Sequence, residues 1–90
     1  MNKAQLIEKI ATETKMTKVH TEAVLDATLN IIQKSVAKGE DVKLVGFGTF
    51  VRAQRKARTG RNPQTGEVVK IPATKIPKFR PGKEFKDSIN

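Results

Sequence analysis

The 90-residue chain has no cysteine, no tryptophan and no tyrosine, and it has one histidine. Without cysteine it forms no disulfide and no thiolate metal site, which fits a reducing compartment. Catalysis usually requires a nucleophile beside a base, a metal cluster or paired carboxylates, and the chain offers only His20, Ser35 and Ser88 toward these patterns. We therefore expect no enzymatic activity, no metal site and no cofactor.

Long apolar runs are also absent. No run approaches the roughly 20 residues needed to cross a bilayer. The opening residues, MNKAQLIEKIATET, place Glu8 and Glu13 where a signal peptide needs a hydrophobic stretch. The sequence predicts a cytoplasmic protein. We expect no membrane partner either, because the basic segment is not an amphipathic helix and has no Trp or Tyr anchor.

Positive charge is what the chain has in excess, and it is unevenly distributed. The net charge is +9, with seven Lys or Arg against six Asp or Glu in residues 1–51, and eleven against three in residues 52–90. Exposed charges of one sign repel one another unless a partner neutralises them, so this asymmetry indicates a polyanionic partner. A chain of this length forms one domain at most.

The first half of the chain is predicted to be helical. Asn2 and Gln5 have the spacing of a capping box before a short amphipathic helix over residues 3–14. Thr17 is placed to cap a second helix, from Lys18 to about Lys38. Its apolar positions cover more than half of its circumference, which is more than one short helix can bury. This width predicts two packing partners, and one of them can belong to a second subunit.

The second half is predicted to form strands. Gly39 ends the second helix, Val42 to Val45 forms a short strand, and Gly46 and Gly48 permit a reversal into a long strand from Thr49 to Arg58. Residues GRNPQTGE supply turn chemistry for a tip at residues 62–65, and the returning strand contains Pro72 and Pro77, which place it at a sheet edge. A short helix follows residues 81–82, with Phe85 and Ile89 spaced to dock on one face.

The ribbon between these strands carries closely spaced cations and contributes little to a core. A solvated basic face is the ordinary explanation for such charges, but the turn at the tip and the further flanking cations favour a nucleic-acid partner. Pro63, at the tip, has two possible roles. The residues alone favour a turn-forming proline, and the alternative is an apolar wedge that kinks a duplex.

The motifs GFGTF, GRNPQTGE, IPATKIPKFRPGKEFKD and the opening MNKAQLI resemble, in order and spacing, the HU and integration host factor family of bacterial DNA-bending proteins. The resemblance covers essentially the whole chain. The unbroken GRNPQTG is more similar to HU than to its sequence-specific relative, integration host factor. It implies an α+β fold: an intertwined homodimer with a helical base, a small antiparallel sheet and two long β-ribbon arms. Residues 1–90 then form a single DNA-binding domain, divided into a dimerisation body (1–51), an arm (52–75) and a last strand with the C-terminal helix (76–90).

The resemblance also implies a histone-like function. The protein is expected to bind double-stranded DNA in the minor groove with little sequence specificity, to bend it with Pro63 as the wedge, and to compact the nucleoid, with nicked, gapped, junction or bent DNA preferred. The expected DNA contacts are Lys3, Arg52, Arg55, Lys56, Arg58, Arg61, Asn62, Pro63, Gln64, Lys70, Lys75, Arg80, Lys83 and Lys86. The expected dimer core is Leu29, Ile32, Val36, Leu44, Phe47, Phe50 and Phe79.

One position departs from the family pattern. Many HU sequences carry arginine where this chain has Ala53, while Arg52 and Lys56 add charge to the opposite face of the strand. Alternative hypotheses remain open at this stage: a sequence-specific relative of integration host factor, a module whose arms clasp protein, an RNA partner, and an organelle or viral setting.

Overall fold

A computed structural model describes all of residues 1–90 and contains three helices and five strands. No helix is both long enough and apolar enough to span a membrane. Two compact units are distinguished, Met1–Lys34 and Ser35–Asn90. The elements in chain order are α1 (Lys3–Thr14), α2 (Lys18–Ala37), β1 (Val42–Leu44), β2 (Gly48–Arg55), β3 (Arg58–Arg61), β4 (Val68–Ile71), β5 (Thr74–Pro81) and α3 (Lys83–Ile89).

Helix α1 begins with the predicted capping box. Asn2 Oδ1 accepts from the Gln5 N–H at 2.9 Å, and Gln5 Oε1 accepts from the Asn2 N–H at 3.0 Å, so two N–H groups gain side-chain partners. The helix ends at Lys15, which has a left-handed backbone (φ +60°). The Met16 N–H donates to the Ala11 carbonyl across this reversal.

Helix α2 also begins as predicted, because Thr17 Oγ1 accepts from the His20 N–H at 3.2 Å. The buried residues of the first unit are Ile7, Ala11 and Thr21. The Thr21 hydroxyl donates to the Thr17 carbonyl at 2.8 Å, so its burial leaves no polar atom unpaired. Helix α2 ends at Ala37, and Gly39 follows with φ +88°, which confirms the glycine stop.

Three strands form an antiparallel sheet in the order β1-β2-β5. Phe50 pairs with Val42 on one side and with Phe79 on the other. Strand β1 ends one residue earlier than predicted, since Val45 lies in the turn and is 91% exposed. Gly46 makes this turn with φ +84°. Strand β5 is an edge strand, as its prolines predicted.

Four phenylalanines cluster on one side of this sheet. The ring centroid of Phe79 lies 4.9 Å from that of Phe50, 5.2 Å from that of Phe47 and 6.2 Å from that of Phe85. The cluster is so close to β2 that a Cβ on Gly48 would lie 2.5 Å from Phe79 Cζ and 2.7 Å from the Arg80 carbonyl oxygen. Gly48 is therefore required for space, whereas Gly46 is required for its backbone conformation.

The prediction of one uninterrupted strand from Thr49 to Arg58 is wrong. Strand β2 ends at Arg55, and β3 starts at Arg58 in a separate two-stranded sheet with β4. The register is nevertheless continuous, because Arg55 pairs with Thr74 and Arg58 pairs with Ile71. Pro72 falls within the gap on the returning side, where its missing N–H removes a ladder hydrogen bond.

The single chain buries little apolar surface. Its buried hydrophobic residues are Ile7, Ala11, Val36 and Val51, and no large side chain is fully enclosed. The prediction that Ile89 docks beside Phe85 is wrong for the single chain, because Ile89 is 72% exposed. Ile89 is the last residue of α3, and Asn90 caps the helix after it.

Lys15 offers a test of the end of α1. A left-handed conformation costs a residue with a Cβ roughly 1–2 kcal/mol, and glycine avoids this cost. Glycine also loses more conformational entropy on folding, which offsets part of the gain. Lys15→Gly should raise the free energy of unfolding by about 0.5–1 kcal/mol, measured by urea denaturation at fixed protein concentration. Lys15→Ala removes the same charge but keeps the Cβ, and equal stabilisation by both variants would contradict the backbone explanation.

Gly48 offers a test of the phenylalanine cluster. Gly48→Ala should lower the free energy of unfolding by about 1–3 kcal/mol, because the added methyl group displaces Phe79 or the β5 backbone. Gly60→Ala is the matched control, since its Cβ would approach only the flexible end of Ile71, at 3.1 Å. A comparable loss in both variants would mean that any strand glycine is equally sensitive. Thermal and urea unfolding measure both.

Candidate nucleic-acid interface

The hairpin of β3 and β4 extends beyond the paired end of β2 and β5 and presents cations on both faces. Directly opposed residues share a face, so Thr59 and Lys70 lie with Arg61 and Val68, while Arg58 lies on the other face, with Ile71. All three cations are exposed. The hairpin segment, residues 58–71, contains one acid, Glu67. The hairpin therefore carries a net charge of +2, from Arg58, Arg61 and Lys70 against Glu67.

The tip of the hairpin is stabilised by its own hydrogen bonds. The Asn62 N–H donates to the Glu67 carbonyl at 2.8 Å, and the Gly66 N–H donates back to the Asn62 carbonyl at 2.7 Å. Asn62 Oδ1 also accepts from the Gln64 N–H at 2.9 Å, which forms an Asx turn around Pro63. Gly66 closes the turn with φ +74°. The predicted tip is confirmed, and its outermost residues, Pro63 and Gln64, are exposed.

Two of the predicted DNA contacts lie where the body sheet ends. Arg55 is the last residue of β2 and faces Thr74, and Lys75 faces Gln54. Lys56 follows in the gap between the two sheets. These side chains are exposed, and they continue the positive potential of the hairpin down to the body.

Arg80 lies further along β5, on the opposite sheet face from the phenylalanines. It is opposed to Thr49, and Lys78, two residues earlier, is opposed to Val51, so both cations share this face with Arg55. Lys78 was not among the predicted DNA contacts, although it shares the face of two residues that were. Its alternation with Arg80 in the segment TKIPKFRP was the signal that could have found it.

Lys83 and Lys86 lie on α3, three residues apart, so their side chains are neighbours on the helix surface. Glu84 lies between them in sequence, and its carboxylate lies against the β1–β2 turn, where a Cβ on Gly46 would be 2.9 Å from its Oε2.

Lys3, the predicted contact in the first unit, already has a partner. Its Nζ lies 2.5 Å from Asp26 Oδ1, and both side chains are about half exposed. The hydrogen bond and the charge of Asp26 raise the pKa of Lys3 above its ordinary value of 10.5. While Asp26 is ionised, the raised pKa means that the pair favours the folded state below the unfolded pKa of Lys3, and this contribution is lost as the pH rises through the folded pKa. Solvent screening keeps the contribution small.

Arg52 differs from the other predicted contacts. It lies on the phenylalanine face of β2, and its Nη1 donates to the carbonyl of Ala37, the last residue of α2, at 3.2 Å. Arg52 is exposed, as the hairpin arginines are, but the structure places its guanidinium at a helix end with a backbone carbonyl as partner.

The structure gives little support for a catalytic or metal-binding site. His20 is exposed on the first turn of α2. No group of three or more His, Cys, Asp or Glu side chains is arranged to hold a metal ion.

Comparison with known proteins gives matches over the whole chain. The family model described as bacterial DNA-binding protein matches residues 1–90. HU of Clostridium pasteurianum is 52% identical over 90 residues, which is 100% of this chain and 99% of the relative, and HU-beta of Salmonella typhimurium is 52% identical over 100% of both. A cocrystal structure of Anabaena HU with DNA covers 99% of this chain and 97% of its own, with a TM-score of 0.95 and 46% identity. These matches confirm the α+β fold class and the resemblance given by the sequence motifs.

Proposed function

The chain belongs to the family of bacterial DNA-binding proteins that includes HU, and on this premise we propose that it is a histone-like architectural protein of the bacterial nucleoid. It binds double-stranded DNA with little sequence specificity and bends it, without catalysing a reaction. The observation that carries this proposal is the hairpin at residues 58–71, which has a net positive charge, extends beyond the body sheet and contributes no buried residue. Such a segment gains its stabilising contacts from a partner of opposite charge.

The binding unit in this proposal is a homodimer. Large apolar residues of the second unit remain accessible in the single chain, among them Leu44 (38%), Phe47 (43%) and Ile89 (72%). Leu29 and Ile31 of α2 are also exposed, at 43% and 62%. Apolar exposure on this scale marks an interface, and a second copy supplies matching surface by symmetry. The dimer then carries two hairpins, one from each copy.

The two hairpins enter the minor groove from opposite sides of the duplex. Arg58, Arg61 and Lys70 neutralise phosphates or lie in the groove, and the flanking cations of β2, β5 and α3 meet DNA that bends toward the body. The minor groove distinguishes mainly A·T from G·C pairs, which accounts for weak sequence preference. Counterion release supplies most of the binding free energy.

Pro63 acts as the wedge that kinks the duplex. It is exposed at the outermost point of the hairpin, and the hydrogen bonds of Asn62 and Gly66 support its position. Its ring is apolar and rigid, as intercalating side chains of minor-groove proteins are. Unstacking costs least where a strand is already interrupted, so nicked, gapped and junction DNA bind more tightly than intact duplex.

Salt dependence tests the electrostatic part of the proposal. With about 6–10 phosphates neutralised, affinity for a random-sequence duplex should fall by about 10³–10⁵ between 50 and 200 mM salt. Fluorescence anisotropy measures this, with ultracentrifugation confirming the mass of two chains at the concentrations used. A nearly flat titration would contradict DNA binding through the backbone, and strong discrimination among random duplexes would favour the sequence-specific alternative.

Pro63 and Arg58 should separate bending from binding. Pro63→Ala removes the wedge and should reduce the bend, measured by FRET between the ends of a short duplex, with affinity changed less than about threefold. Arg58→Ala removes a phosphate contact and should lower affinity about tenfold per copy near 100 mM salt while the bound duplex stays bent. A normal bend with Pro63→Ala would reject the wedge and leave the electrostatic proposal intact.

A further inference from the structure

We propose that Arg52 is a positioning residue that fixes the base of the β-ribbon to the end of α2, and that its charge is not among those that neutralise DNA. This inference rests on the proposed function, because it concerns which cations of the chain reach DNA. It changes the assignment of one residue that charge and position alone place with the DNA contacts.

The direction of the Arg52 side chain is set by strand alternation. Arg52 pairs with Pro77, and both share the sheet face of Phe50 and Phe79. Arg55 lies on the other face, with Arg80. Two arginines of one strand, three residues apart, therefore point in opposite directions.

The end of α2 is a suitable site for the Arg52 guanidinium. The last carbonyls of a helix have no partner within the helix, and the helix dipole places partial negative charge there. Arg52 Nη1 donates to one of these carbonyls, that of Ala37, at 3.2 Å. The contact joins residues 15 positions apart and links the helix directly to the strand.

Gly39 makes room for this contact. A Cβ at Gly39 would lie 2.9 Å from Arg52 Nη2 and 3.2 Å from Cζ. The same glycine adopts φ +88°, and its N–H donates to the Val36 carbonyl at 2.9 Å. Gly39 therefore both forms the turn after α2 and leaves space for the Arg52 guanidinium.

The position of Arg52 along β2 gives the contact its effect. Arg52 pairs with Pro77, and β2 ends three residues later, at Arg55. The side-chain bond to Ala37 adds a fixed point close to the end of the body sheet. It therefore limits the directions in which the ribbon leaves the body, and phosphate contact is left to Arg55 and the hairpin cations.

Two variants that remove the same charge from the same strand test the inference. Each phosphate contact contributes about 0.9 to the slope of log K against log salt. Arg55→Gln should lower the magnitude of that slope by about 1 per copy. Arg52→Gln should leave it within about 0.3 of the wild-type slope, while the FRET distribution of the bound duplex becomes wider. A slope reduced equally by both variants overturns the inference.

Hydrogen exchange of the free protein provides a readout that does not depend on DNA. In Arg52→Gln, the amides of Gly39 and Glu40, which bond to carbonyls of the last turn of α2, should exchange severalfold faster than in the wild type. Arg55→Gln should leave them unchanged, and Arg52→Lys, which keeps a donor, should restore most of the protection. Unchanged exchange in Arg52→Gln overturns the inference, whereas a wild-type protein that does not bind DNA overturns the proposed function alone.

Discussion

The packing of Phe79 against its three aromatic neighbours is the interaction on which the second unit depends. The rings come from the β1–β2 turn, β2, β5 and α3, so one cluster joins every element of the body sheet except β1. Full burial of a phenylalanine contributes about 1.5–3 kcal/mol, of which these partly exposed rings gain a part in the single chain, and a tilted ring pair adds about 0.5–1.5 kcal/mol. With β2 and β5 held at this end, residues 56–73 need no core of their own.

That arrangement assigns folding and binding to different segments of the chain. Apolar side chains hold the body, and the cations concentrate where apolar packing has ended. Charge alone does not define the interface, however, because each cation acts through what its side chain reaches. Lys3 reaches Asp26 and Arg52 reaches the end of α2, whereas Arg58, Arg61 and Lys70 project from a hairpin with a single acid. The hairpin cations are thus available to an outside anion without first losing a protein partner.

Sequence reasoning succeeded where the deciding interactions span a few residues. The capping box of α1, the glycine stop at Gly39 and the Asx turn at the tip each involve neighbours within four positions, so their residue types predict them. It failed where the partner is distant. The interruption of the ribbon lies beside Pro72 on the returning side, and the Arg52 side chain bonds to Ala37, 15 positions away. Neighbouring residues alone predict neither feature, and the DNA contacts of the hairpin cations stay predictions.

The paired width of the hairpin has a consequence for the DNA it can enter. Two strands lie roughly 4.8 Å apart before side chains are added, and the minor groove of relaxed B-DNA is about 6 Å wide. A ribbon with Arg61 and Lys70 on one face and Arg58 and Ile71 on the other is thicker than that groove. In the proposed complex the groove has to widen as the ribbon enters, so we expect weaker binding at stiff A-tracts with narrow grooves and tighter binding at flexible pyrimidine–purine steps. The sequence preference of such a protein comes from the deformability of the duplex, whereas in other proteins it comes from contacts with the bases.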